Sequence, residues 1–302
     1  MNHSELLNLA LNKTALQSKT YQLKTITPLG VHGASENQFE AEFRIPSMRG
    51  VIRYWWRSIQ YIDDPKELLQ LETKKFGGTS VNAQKSPVSF VLEKPWTDRN
   101  YKKFVLPHKK RSSSMACLPE QKEIPVKMLV KRNEDVAFYE NVFHLFSMLG
   151  SMGQRARRGF GSIQLSEYED IDDFINELKR ILNYFGIDVM SNSSHSLKVS
   201  NYKKLSHPTI ASIWIGRSYT SAWEVVKAYA EASSKNKTGM LGQVSDKKRN
   251  KKRFASPLWG TVKEIGGKYY PIITELQSKL IIDTKKYEHE RNEFLEVLGV
   301  SI

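Results

Sequence analysis

Arginines 49, 53 and 57 stand four residues apart in the run Arg44-Ile-Pro-Ser-Met-Arg-Gly-Val-Ile-Arg-Tyr-Trp-Trp-Arg57, so on a helix they form one cationic ridge, with Arg44 just ahead of it. Like charges at that spacing repel unless something anionic lies across them, so the ridge is either a seat for a polyanion or a solvated basic face. A second stretch carries the same chemistry. Gly150-Ser-Met-Gly-Gln-Arg-Ala-Arg-Arg-Gly-Phe-Gly-Ser162 sets Gly150, Gly153, Gly159 and Gly161 around Gln154, Arg155, Arg157 and Arg158. Glycines let a backbone come close to a ligand and expose N–H groups, and the arginines add charge, which suits a phosphodiester chain. Phe160 either stacks on a base or packs into the sheet. The densest positive run is Lys247, Lys248, Arg249, Lys251, Lys252 and Arg253, a polybasic arm able to order on an RNA strand.

Acid–base chemistry has thinner support. A metal-independent ribonuclease needs a general acid and base about the scissile phosphate. His32 is the leading candidate, in a turn after the first strand; His108 sits in a basic insertion, and His144 near the flank of an apolar helix reads as a packed histidine. Asp63-Asp64 and Asp172-Asp173 read as acids favoured at helix N-termini rather than as a two-metal cluster. No cofactor and no metal site is expected.

The elements that must position these groups follow from periodicity. Phe39, Ala41, Phe43 and Ile45 alternate with polar residues as a strand; Pro46 ends it and Ser47 is placed to cap a helix whose core stripe is Met48, Ile52, Trp55 and Ile59, with Trp56 beside it and Tyr54 outside both faces. Met1 to Thr20 reads as a short amphipathic helix or loose arm, and Tyr21 to Leu29 as the first strand. Further on come a helical piece at 65–76 closed by Gly77-Gly78, strands at 86–92 and 124–130, an apolar helix at 136–149, the glycine-rich loop and a strand at 162–165. The order β-α-β-β-α-β is the ferredoxin-like motif of RRM-type RNA binders. Between the middle strands, Asp98 to Glu120 carries Lys102, Lys103, Lys109, Lys110 and Arg111, either a basic hairpin that emerges from the sheet or a solvated loop.

Beyond residue 166 a second α+β layer or subdomain is expected, over 167–302. It comprises a helix from Ile171 to Phe185, a serine-rich linker or loop at 191–196, a strand at 209–215, a helix capped by Ser221, a basic loop at 233–253, a Gly266-Gly267 hairpin and a closing helix at 284–298. The expected division is thus an arm at 1–20, a ferredoxin-like domain at 21–166 and this second unit.

Helix, arginine-bearing glycine-rich loop, Gly159-Phe-Gly-Ser162 and strand together resemble the glycine-rich signature of the RAMP superfamily of CRISPR-associated proteins. The run from Arg44 to Arg57 closely resembles the stretch typical of the first-numbered subunits of the Cmr, or type III-B, effector complex. Arg253-Phe-Ala-Ser-Pro-Leu258 with Gly267-Lys-Tyr-Tyr-Pro-Ile272 is similar to that family's C-terminal region. The resemblance implies a non-catalytic, cytoplasmic RNA-binding subunit that holds guide CRISPR RNA near the end distal to its 5′ tag. It also implies capture of target single-stranded RNA beside other RAMP subunits, with target cleavage left to a different, filament-forming subunit. A guide-processing endoribonuclease built on His32 and a protein-binding scaffold are the alternatives.

Composition agrees with a polyanion partner. The 302 residues carry 46 Lys+Arg against 32 Asp+Glu, a net charge of +14. No apolar run reaches the roughly 18 residues that span a membrane, so a membrane partner is not expected. Cys117 stands alone, which leaves no disulfide or cysteine-based zinc site within the chain and suits a reducing compartment.

Overall fold

The computed structural model describes residues 16–33, 40–79, 83–107, 109, 113–193, 195–243, 254–281 and 283–300. Its first sheet is built from β1 (Leu16–Thr25), β3 (Val88–Leu92), β7 (Glu123–Lys131) and β8 (Ile163–Gln164), in the order β3-β7-β1-β8 with every pairing antiparallel. α1 (Ile45–Ser58) connects β1 to β3, with the two-residue strand β2 (Ala41–Glu42) and α2 (Pro65–Phe76) on the way, and α3 (Val136–Leu149) connects β7 to β8. That connectivity and strand order are the ferredoxin-like fold. Period-2 burial on β7 turns Ile124, Val126, Met128 and Val130 to the helices, where Tyr21 meets Phe143 edge-on at 5.3 Å.

β1 begins five residues before the expected strand. Leu16 to Thr20 pair with Lys131 to Lys127 but are exposed on both faces, so they carry no alternation to read, and the arm expected at 1–20 is already sheet by residue 16. Ser47 is not the cap of α1. The helix starts at Ile45 with Pro46 in its first turn, where a fixed φ and a missing N–H cost nothing, and Arg44 occupies the N-cap position without a side-chain cap bond.

In the basic insertion, β4 (Thr97–Asp98) pairs with β2, and β5 (Lys102–Phe104) pairs with β6 (Ser114–Ala116) as a hairpin. Lys103 of that hairpin lies 4.8 Å over the ring of Trp223 and ties it to the second half of the chain. Cys117, just after β6, is fully buried, and burial pushes its thiol up to about 12.

The second sheet runs β12-β13-β11-β10-β9, again antiparallel, from β9 (Val189–Ser193), β10 (Ser196–Val199), β11 (Thr209–Ile215), β12 (Leu258–Ile265) and β13 (Lys268–Gln277). The serine-rich stretch expected as a linker or loop lies in the β9–β10 hairpin, with Ser191 and Ser193 in β9 and Ser196 in β10. β12-β13-β11 repeats the order β3-β7-β1, and the place beside β11 that a fourth strand would take is filled by β10. α5 (Ala222–Ser234), capped by Ser221 in a capping box with Glu224, and α6 (Thr284–Val297) cover one face of this sheet. Its other face, with Ile213, Ile215, Ile272 and Leu276, packs on α3 and α4 (Ile171–Tyr184) in the same core as the first sheet. The layers run sheet, helices, sheet, helices, and one apolar core spans residues 21–276.

Candidate nucleic-acid interface

The two arginine-bearing stretches meet. Trp55 and Tyr54 of α1 stand against Trp259 of β12, with ring centroids 5.4 and 5.1 Å away, and the glycine-rich loop runs between them and the second sheet. Main-chain bonds fix the loop at both ends. Gly159 N–H donates to Gly260 O and Gly260 N–H to Arg157 O; Gln154 N–H donates to Gly30 O, and Met152 N–H to Gly161 O. The glycines answer to this packing. A Cβ on Gly150 would sit 2.5 Å from Trp55 Nε1 and 2.6 Å from Phe146 O; one on Gly161, at φ +64°, would fall on Met152 O. Gly159 lies against the ring of Tyr229, while Gly153 is exposed at the tip.

The ridge of α1 finds its anion inside the chain. Glu72 of α2 is buried and accepts from Arg53 Nε at 2.5 Å and Arg57 Nη1 at 2.7 Å. Arg53 and Arg57 thus share one internal carboxylate and stay partly exposed, whereas Arg49 is partly exposed and takes no part in this network. Glu72 escaped the sequence reading, although its position four residues from both Leu68 and Phe76 sets a carboxylate on the buried stripe of α2, a spacing that signals a paired acid.

In the loop the arginines are treated differently. Arg157 Nη1 donates to Ser256 O at 2.5 Å and Nη2 to Tyr54 Oη at 3.1 Å, with the guanidinium 4.5 Å over Trp259. Arg158 donates to the carbonyls of Arg157, Leu258 and Leu241 at 2.9, 3.2 and 2.8 Å and lies over Phe294. Burial, together with the fields of Arg155 and Arg157, brings Arg158 down to about 10, so it stays charged at neutral pH. Arg155, at φ +57°, is half-buried with an unpartnered Nε, and burial lowers its proton affinity as well. None of the three pairs with a carboxylate among the described residues. Phe160, expected as a base-stacking candidate, is fully buried against Trp223 and presents no face to a ligand.

The exposed end of the loop gathers the remaining candidates. Gln154 is exposed, and its amide faces His32 Nδ1 at 3.5 Å. Ala116 O, which can only accept, lies 3.1 Å from His32 Nε2, so that nitrogen carries the proton and the imidazole is fixed in the turn. Arg44 Nη1 reaches His32 O at 3.4 Å. Gln154, His32 and Arg44 therefore share one surface at the start of α1, with Arg155 next to Gln154 in the chain. The polybasic candidates Lys247, Lys248, Arg249, Lys251, Lys252 and Arg253 lie outside the described residues, as does His108. His144 is packed edge-on to Tyr21, and burial lowers its proton affinity. Asp64 and Asp170 cap α2 and α4, with Asp172 and Asp173 in the first turn of α4.

Residues 22–164, from β1 through the loop to β8, match the model of the RAMP superfamily. That match covers just under half of the chain. Along most of its length the chain is also similar to the CRISPR system Cmr subunit Cmr1-1 of Pyrococcus furiosus, at 28% identity over 291 residues covering 80% of this chain and 85% of that one. The crystal structure of Cmr1 from Pyrococcus furiosus in its apo form has the same fold, with a TM-score of 0.58 at 20% identity over 87% of this chain and 88% of that one. Two cryo-electron microscopy structures of type III-B Cmr-beta bound to cognate target RNA match with TM-scores of 0.58 and 0.59. Identity there is 10% and 11%, and each match covers 94% of this chain and 100% of the other.

Proposed function

We propose that this chain is a non-catalytic RNA-binding subunit of a type III-B CRISPR effector, holding guide CRISPR RNA and helping to capture target single-stranded RNA beside other RAMP subunits in the cytoplasm. The likeness to Cmr1-1 supports the assembly. The observation that carries the RNA part is the charge left uncancelled at the loop: Arg157 and Arg158 are held by carbonyls, a hydroxyl and aromatic rings, and Arg155 follows the exposed Gln154 with no carboxylate partner among the described residues. A carbonyl dipole orients a guanidinium without neutralising it, so this surface keeps a net field for phosphates, and contacts to phosphates give little sequence preference.

Binding of labelled single-stranded RNA over a salt series, with the products run on a denaturing gel, tests the reading. Arg155→Ala should lower the log–log salt slope by about 0.7, one single-strand phosphate, with the RNA left intact. An unchanged slope and affinity would remove the loop from the RNA surface. Discrete cleavage lost in His32→Ala would replace the reading with an endoribonuclease, and failure of heterologous RNA to compete with a bound subunit would favour a scaffold.

A further inference from the structure

β12 is an edge strand of the second sheet, paired with β13 on one side, and the glycine-rich loop meets its other side at Gly260. Successive residues of a strand face opposite ways. Leu258 and Val262 pack with α5 and α6, while Trp259 and Ile265 pack in the core shared with the first sheet, which places Thr261 and Lys263 on this second face. From it, three side chains reach the loop and its stems. Trp259 Nε1 donates to Ser151 Oγ at 3.0 Å, and Thr261 Oγ1 to Gly150 O at 3.0 Å. Lys263 Nζ donates to Ser147 O and, at 2.5 Å, to Ile163 O. Ser147 stands in the last turn of α3 ahead of Gly150, and Ile163 opens β8 directly after Ser162, so one ammonium brackets the whole loop.

Burying an ammonium is unfavourable unless it is fully hydrogen-bonded, and an apolar side chain of similar volume is commonly as stable or more so. What an apolar side chain cannot do is satisfy Ser147 O. The last four carbonyls of a helix have no intrahelical donor, Ser147 O is one of them, and a cation there also meets the negative end of the helix dipole.

We infer that Lys263 is a positioning residue for the proposed RNA surface: with Trp259 and Thr261 it makes β12 the template on which the glycine-rich loop is set, and so fixes where the loop presents Gln154 and Arg155. The surface is then composite. Its ligand groups come from the first half of the chain, and the side chains that hold them come from the second. The effect on RNA rests on the function proposed above, but the placement of the loop does not.

Amide hydrogen exchange of the full chain reads the placement directly. In Lys263→Met, which keeps the stem and removes the donor, and in Thr261→Val, the Met152, Gln154 and Gly159 amides should exchange at least about tenfold faster while the β1–β7 ladder stays protected. If the methionine variant exchanges faster throughout, the near-isosteric valine variant decides. Unchanged protection of the three loop amides overturns the inference. RNA affinity supplies the second arm: Lys263→Met should weaken binding by about fivefold with the salt slope unchanged, and that loss should vanish in an Arg155→Ala background. A slope lowered by about 0.7 would make Lys263 a phosphate ligand itself and sink the positioning role. Looser loop amides with unchanged RNA affinity would do the same, leaving Lys263 a part of the scaffold alone. A wild-type chain that binds no RNA would fail the proposed function, with the exchange result still deciding the template.

Discussion

Helix α1 and the glycine-rich loop look alike in sequence, each a short run with three arginines, and the fold treats them in opposite ways. On α1, a buried carboxylate offsets one of the ridge's three positive charges, because Glu72 bonds both Arg53 and Arg57. In the loop, carbonyl oxygens of Ser256, Leu258 and Leu241 hold Arg157 and Arg158 in place and cancel nothing. Lys263 of β12 is a further member of the second kind. It is fully buried, donates to Ser147 O and Ile163 O, and has no carboxylate partner among the described residues. Where a cation's acceptors are carbonyls, shape is specified and the full charge is kept; where two cations share one carboxylate, stability is gained and the field is reduced by one charge.

Removing the carboxylate attacks the first arrangement most directly. Glu72→Gln leaves two half-buried guanidinium groups facing each other and should cost about 2–3 kcal/mol in urea unfolding, the lower side of the buried-pair range because both arginines keep some water. A loss below about 0.5 kcal/mol would mean that the ridge does not depend on its internal anion.

Lys263→Met probes the second arrangement through pH. Burial holds the Lys263 amine well below its usual value of 10.5, so the folded chain binds fewer protons there than the unfolded chain. Stability should therefore rise with pH from the depressed value up to about 10.5, by at most about 1.4 kcal/mol per pH unit, and the methionine variant should lack that contribution. Superimposable pH profiles for the two chains would show the amine to be charged in place. Arg53→Ala and Arg57→Ala should each cost about 1 kcal/mol, less than Glu72→Gln, since Glu72 retains one partner in either case. Smallest of all, Arg155→Ala should leave the urea midpoint within about 0.5 kcal/mol of wild type while shifting the RNA salt slope, which separates the ligand surface from the scaffold.

Much of this was legible before the fold was known, for reasons that also explain the misses. The helices at 65–76 and 136–149 and the strand at 209–215 fall where periodicity and Gly/Pro punctuation set them, because each buries one stripe or one whole run. Leu16–Thr20 were missed because exposed strand residues carry no apolar alternation, and in the β9–β10 hairpin the buried alternation is confined to Leu197 and Val199, too short to read. At the site, residue types pointed to a polyanion, but the roles of single residues depended on partners far along the chain. Gly150 is glycine because Trp55 and Phe146 crowd it, Phe160 is buried because Trp223 of α5 receives it, and Arg158 is occupied by Leu241 and Leu258. Spacing within a motif cannot reveal acceptors that lie 83 to 100 residues away.

Cys117 has a practical consequence. A thiol reacts as thiolate, and this one is fully buried with its acidity suppressed to about 12, so it is chemically silent at neutral pH. The wild-type chain is thus a ready background for site-specific labelling. A cysteine introduced at the exposed Gln154 would take a maleimide dye or a photo-crosslinker without prior removal of the native one, and capture of RNA there, or its failure, would test the proposed RNA surface at the tip.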